Sequence, residues 1–233
     1  MLSLGLKIGI GSTRVQSGFA ITDVSGLQLW LKFNEGQVTT EDGLKWSDGS
    51  GNGNHATQTT DSHEGAFSSG FYRTDANAND HLEFTSQIDL TGAYHVFMVI
   101  DLSEQTNETF LSSTNSSTSF MRLGQGSSTT FRIRQNTSSN QADISMSEAF
   151  GTDKAIFEVT RDGSNDISAL KNGSQVGTAS SQTGTFEANQ ISAHSAGLSS
   201  AQIAEVVIFN TILDSATATK VRNDVADRNS LSI

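Results

Sequence analysis

Tyr94-His95-Val96-Phe97-Met98-Val99-Ile100-Asp101-Leu102 decides the fold. Its apolar residues occupy both even and odd positions. Successive side chains of a strand point to opposite faces, so this segment buries both faces and belongs in the middle of a sandwich. Shorter apolar runs recur around it. Residues 81–84 precede it, and 110–112, 120–123, 131–134 and 144–146 follow at roughly ten-residue spacing, separated by Ser, Thr, Asn or Gly. Residues 156–160, 167–170, 175–179 and 203–209 continue the series. Upstream, Leu27, Leu29, Leu31 and Phe33 lie two apart, which places all four on one face of a strand with Trp30 on the other. Short strands at regular spacing with polar turns predict an all-β, antiparallel two-sheet β-sandwich. One segment reads differently: Asp214 can cap a run in which Ala218, Val221, Arg222 and Val225 share a side, predicting one short C-terminal helix against the sandwich rim. The Ser, Thr and Asn-rich stretches 112–119 and 137–141 read as loops.

The 233 residues suit one sandwich, residues 26–233, behind an N-terminal attachment arm, residues 1–25. Hydrophobic residues are 35% of the chain and charged residues only 17%, with thirteen Phe inside spaced apolar runs, a pattern that collapses into a core. The absence of Cys removes disulfides and thiolate chemistry together, and the absence of Pro leaves turns to Gly, Asn and Asp. A formal net charge of -11 opposes phosphate backbones and anionic lipid, so neither nucleic acid nor membrane is expected as partner. No apolar run approaches the ~18 residues of a membrane span, and the first residues lack signal-peptide features, so synthesis in the cytoplasm is expected.

Several stretches together resemble laminin-G-like, concanavalin A-like jelly-roll domains. Gly26-Leu-Gln-Leu-Trp-Leu-Lys-Phe leads into Trp46-Ser-Asp-Gly-Ser-Gly-Asn-Gly-Asn-His-Ala-Thr, similar to the family's first strand and its D-x-S-G-N-G-N turn. Phe157-Glu-Val-Thr-Arg-Asp-Gly, with Ala169-Leu-Lys-Asn-Gly-Ser-Gln-Val-Gly-Thr, resembles its paired strands and Asn-Gly hairpin, although Leu170 stands where an aromatic is more usual. Ile203-Ala-Glu-Val-Val-Ile-Phe-Asn-Thr-Ile-Leu-Asp is similar to its last strand, which a short helix follows. Residues 105–150 match only by strand spacing. Met1-Leu-Ser-Leu-Gly-Leu-Lys-Ile-Gly-Ile, outside this resemblance, is similar to the starts of structural proteins of marine tailed phages.

Some relatives of the fold hydrolyse glycans, which requires two carboxylates about 5–5.5 Å apart, or further if inverting. Glu83, Glu158 and Glu205 each stand alone within their strands, so no enzyme is expected. Residues 48–54 can hold Ca²⁺ through Asp48, Asn52 and Asn54, or their side chains can simply stabilise their own turns, which is the reading favoured. Glu205 interrupts an apolar strand. It either faces solvent between inward Ala204 and Val206, the reading slightly favoured, or is buried against the Asp48 turn as the resemblance allows, joining the calcium ligands. No two of the five His share a local face as zinc ligands would, and His95 reads as a satisfied sandwich residue. Trp30, Trp46, Tyr72 and Tyr94 suit the core better than a sugar-stacking platform.

Two functions follow. The first is a non-catalytic virion structural protein, a decoration, collar or fibre-associated subunit of a bacteriophage, oligomeric in assembly and joined to other virion proteins through the arm. Leu2, Leu4, Leu6, Ile8 and Ile10 alternate as strand addition to a neighbour requires, so residues 1–25 are expected to fold on a partner and not on their own sandwich. The alternative is a lectin-like module binding surface glycans, with or without Ca²⁺. An aromatic-lined groove with a polar rim would favour the second.

Overall fold

The computed structural model describes residues 18–74, 79–102, 107–113, 118–192 and 201–233. In chain order the strands are β1 (Leu27–Leu31), β2 (Gln37–Thr40), β3 (Gly43–Trp46), β4 (Ala56–Gln58), β5 (Ala66–Ser68), β6 (Phe71–Arg73), β7 (His81–Leu90), β8 (Tyr94–Leu102), β9 (Glu108–Ser112), β10 (Phe120–Leu123), β11 (Thr130–Gln135), β12 (Thr137–Ser145), β13 (Ala155–Arg161), β14 (Ile167–Lys171), β15 (Ser174–Ala179), β16 (Phe186–Ser192) and β17 (Ala201–Phe209), followed by helix α1 (Ser215–Arg228). The first sheet runs β15-β14-β13-β8-β17-β6-β5, with β1 also paired to β17. The second runs β12-β11-β10-β9-β16-β7-β4-β3-β2. Every strand pairing among the described residues is antiparallel. The molecule is a jelly-roll-like β-sandwich with one C-terminal helix, as its sequence predicts.

β8 sits between β13 and β17 in the middle of the first sheet. Its inward residues Tyr94, Val96, Met98, Ile100 and Leu102 meet Phe110, Met121, Phe131 and Ile133 of the second sheet in the main core. Phe157 stands edge-on to Phe110, Phe131 and Phe150 at 5.0–5.5 Å, a geometry that favours aromatic pairs beyond simple area burial. The outward residues Phe97 and Val99 belong to a second apolar layer with Val207, Phe209, Ala218, Val221 and Val225. That layer explains why β8 is apolar on both faces: its outer face is covered by α1 and the segment preceding β1.

Asp214 caps the helix as expected, its carboxylate accepting from Ala216 N at 3.0 Å and Thr217 N at 2.9 Å. The helix lies across the sheet's outer face and not at the rim, because Ala218, Val221, Val225 and Ala226 give it an apolar stripe that only the outward side of β8 and β17 can bury. Ile21 is fully buried in the same layer, with Phe19 and Val24 packed beside it. Residues 18–25 therefore pack on their own sandwich, contrary to the expectation for the arm, since an apolar sheet face lies within their reach. Residues 1–17, which carry the rest of that expectation, lie outside the described residues.

The Asn172-Gly173 hairpin between β14 and β15 forms as the sequence reads, with φ of 50° and 83° at its two central residues. Gly173 has a further reason: a Cβ there would stand 2.7 Å from Arg222 Nε. Residues 137–141, read as a loop, are strand, because β12 is an edge of the second sheet and keeps polar side chains on its solvent side. Residues 114–117, inside the other expected loop, lie outside the described residues.

Candidate functional site

A β-bulge between Ile203 and Glu205 turns both Ala204 and Glu205 to the outer face of the first sheet, where strict alternation would have divided them. Glu205 is fully buried there. Trp30 Nε1 donates to Oε1 at 2.9 Å, Arg228 donates to the same oxygen from Nη2 at 2.6 Å and from Nε at 3.0 Å, and Asn229 Nδ2 donates to Oε2 at 2.7 Å. Arg228 also pairs with Asp224 one turn back along α1. Burial pushes the Glu205 carboxyl above the ordinary carboxylate range, with Arg228 pulling the other way. Burial also works against the Arg228 charge, and the Glu205 and Asp224 carboxylates outweigh it. Glu205 is therefore not an outward, solvated residue. It closes a buried polar knot that pins α1 to β1 and β17.

Beside this knot the surface falls into a groove of about 1170 Å³. Its apolar lining comes from Phe19, Trp30, Ala226, Leu231 and Ile233, and its polar lining includes Lys32, Glu35, Lys220, Asn223, Asp224 and Asp227. The Trp30 ring has Lys32 Nζ 4.3 Å and the Arg228 guanidinium 4.8 Å from its centroid, contacts that fix its orientation. Trp46, Tyr72 and Tyr94 are fully buried. Of the four large aromatics singled out in the sequence, Trp30 lines this groove.

The other expected calcium ligands lie at the far side of β1. Asp48 Oδ1 accepts from Trp30 N at 2.9 Å and Ser50 N at 2.8 Å, and Oδ2 accepts from Ser50 Oγ at 2.7 Å and Asn54 N at 3.0 Å. Asn52 Nδ2 donates to the carbonyls of Leu27 and Gln28, and Asn54 Nδ2 to that of Gln28. Asp48, Asn52 and Asn54 thus come together as a clamp that ties the turn to β1. Glu205 is held separately by Arg228, with Trp30 between, its backbone N–H on Asp48 and its indole on Glu205. No group of three His, Asp or Glu side chains suited to a metal occurs among the described residues.

Glu158 on β13 is the second fully buried carboxylate of this face. Arg222 of α1 grips it through Nε at 2.6 Å and Nη2 at 2.9 Å, and His95 Nε2 approaches Oε2 at 3.3 Å while stacking on Phe97. Burial pushes the Glu158 carboxyl up, but the hydrogen bonds from His95 and Arg222 prevail and hold it below its ordinary range. Burial lowers the His95 pKa, against the pull of Glu158. Glu83 lies on the second sheet, half exposed beside His81. The three strand carboxylates therefore form no pair flanking the groove.

Sequence reasoning missed Arg161. It is fully buried at one end of the sandwich, where it donates to the carbonyls of Gly92 at 2.7 Å, Leu90 at 3.2 Å and Gly184 at 2.5 Å, and to Gln135 Oε1 at 2.8 Å.

The fold is a jelly-roll-like antiparallel β-sandwich. Among solved structures, the chain is similar to the binding domain of Paraclostridial mosquitocidal protein 1 at 12% identity and TM-score 0.61, over 87% of this chain and 52% of that one. It is similar to botulinum neurotoxin type C, in a structure relating that toxin's cell entry to interaction with two ganglioside molecules, at 16% identity and TM-score 0.57, over 88% and 52%. Trypanosoma rangeli sialidase matches at 10% identity and TM-score 0.56, over 97% of this chain and 37% of that enzyme. The chain spans about half the length of the toxin domains it matches. No protein-family model and no curated protein matches the sequence.

Proposed function

We propose that this chain is a lectin-like module that binds a glycan in the groove beside Trp30 and does not cleave it. The observation that carries the reading is the groove itself: aromatic Trp30 and Phe19 share its lining with Lys32, Lys220, Asn223 and Asp227, which offer donors and acceptors to sugar hydroxyls. The likeness to toxin binding domains, one of them from a toxin whose cell entry depends on interaction with two ganglioside molecules, supports the same class of ligand. The non-catalytic part of the proposal is supported by Glu158 and Glu205 each being paired with an arginine of α1 and by Glu83 standing on the other sheet. Glu35, Asp224 and Asp227 also line the groove, so recovery of intact glycan is part of the test. The virion role draws its support from residues 1–10, outside the described residues, so the lectin-like reading takes first place. Display of such a module on a particle would be compatible with it.

A glycan array probed with the wild type, Lys220→Ala and Asn223→Ala tests this. Binding to at least one glycan class is expected, weakened about tenfold by each substitution, the loss of one or two net hydrogen bonds. Bound glycan should be recovered at its original length. Absence of binding across the array, or binding indifferent to both substitutions, contradicts the proposal, and shortened glycan contradicts its non-catalytic part.

The Asp48 clamp is proposed to work without calcium, because four N–H and O–H donors already point at its carboxylate. Thermal melting in calcium and in excess chelator should then coincide, while Asp48→Ala should cost about 2–3 kcal/mol in either buffer. A melting temperature raised by calcium in the wild type, and not in Asp48→Ala, would establish a cation site there.

A further inference from the structure

The outer face of the second sheet carries a block of arginines in a molecule whose formal net charge is -11. In the register of β10 and β11, Arg122 stands directly opposite Arg132, and Phe120 opposite Arg134. The next strand places Asp143 beside Arg132 and Gln141 beside Arg134. These side chains alternate with Met121, Leu123, Phe131, Ile133, Ala142 and Ile144 of the core, so they face outward together. Three guanidiniums thus share one patch, in which Arg132 pairs with the Asp143 carboxylate and Arg134 donates to the Gln141 amide oxygen. Like charges directly across an antiparallel pair disfavour the sheet.

Arg122 is the centre of the block. It is only 9% exposed. Its Nε donates to Thr109 Oγ1 at 2.8 Å and its Nη1 to Gln125 Oε1 at 2.8 Å, both neutral acceptors, and no carboxylate pairs with it among the described residues. Burial, and then Arg132 and Arg134, push its pKa down to about 10. Phe120 lies between the guanidiniums of Arg122 and Arg134, 4.4 and 4.9 Å from its ring centroid, which holds both in place. A nine-tenths buried cation without a counter-ion among the described residues, kept beside two other guanidiniums, is an arrangement that an added anion relieves.

We propose that this block is a binding site for the carboxylate of an acidic saccharide. The forked guanidiniums match a carboxylate, and the neighbouring amides of Gln125 and Gln141 suit the hydroxyls around it. A saccharide is favoured over nucleic acid because the patch is small and the rest of the acidic surface repels an extended polyanion. The site lies on the opposite face of the sandwich from the Trp30 groove and stands independently of that groove's role.

Titration calorimetry with oligogalacturonate, with a neutral galacto-oligosaccharide of the same length and with single-stranded DNA tests it. Oligogalacturonate should bind, the neutral sugar about tenfold more weakly or not at all, and Arg122→Gln and Arg134→Gln should each weaken acidic binding about tenfold, with affinity falling as salt rises. The Arg134 variant keeps the test intact if loss of the buried Arg122 disturbs folding. No binding of oligogalacturonate at millimolar concentration, equal affinity for both sugars, tighter binding of DNA, or wild-type affinity in both variants overturns the proposal. Acidic binding lost in Asn223→Ala and kept in Arg122→Gln and Arg134→Gln would overturn it too, placing the sugar in the groove instead.

Discussion

Replacing Arg228 by Ala is expected to lower stability by about 3–5 kcal/mol, because it strands the fully buried Glu205 carboxylate without its counter-charge. Trp30 and Asn229 would remain as neutral donors, which cannot offset the desolvation of a full charge. The loss should shrink toward acid. In the variant, Glu205 has its folded pKa raised still further above its unfolded value, so it contributes stability that is present at low pH and lost as pH rises. Adding Glu205→Gln should recover much of the deficit, since the buried charge is then gone. Urea denaturation of the three proteins at neutral and mildly acidic pH measures all of this, and a deficit below about 1 kcal/mol at neutral pH would show that the pair does not anchor the helix.

Arg161→Ala is expected to be comparably damaging, again about 3–5 kcal/mol. The substitution leaves the carbonyls of Leu90, Gly92 and Gly184 and the amide oxygen of Gln135 without their shared donor at a buried end of the sandwich. It also removes the guanidinium 5.1 Å above the Tyr94 ring. Arg161→Lys keeps the charge and loses the fork, so it should recover less than half of the stability. Denaturation midpoints decide it, and a lysine variant as stable as wild type would show that charge alone is what the site requires.

Features that depend on neighbouring residues were the ones legible in the sequence. The double-sided apolar pattern of residues 94–102 places β8 at the centre, Asp214 announces the helix start, and Asn172-Gly173 announces a hairpin. Features that depend on distant partners were not. Glu205 finds its donors on Arg228 and Asn229, more than twenty residues away, and its orientation is set by a bulge that no local period reveals. β16 escaped for a related reason: Phe186 and Ala188 alternate, but a bulge before Gln190 breaks the period ahead of Ile191. Arg161 looks like an ordinary strand-end charge until three loops converge on it. The groove could not be read either, since it exists only because α1 crosses the sheet's outer face beside Trp30, where Phe19 also packs.

The most direct test of the glycan-binding reading follows the two tryptophan indole N–H signals by NMR during titration with a glycan selected on the array. Trp30 borders the groove, whereas Trp46 is fully buried and donates its indole to the Lys32 carbonyl at 2.9 Å. The Trp30 signal, together with the backbone amides of Lys220, Asn223 and Asp227, is predicted to shift progressively to saturation while Trp46 moves far less. A saturated titration in which those signals stay fixed would contradict the account.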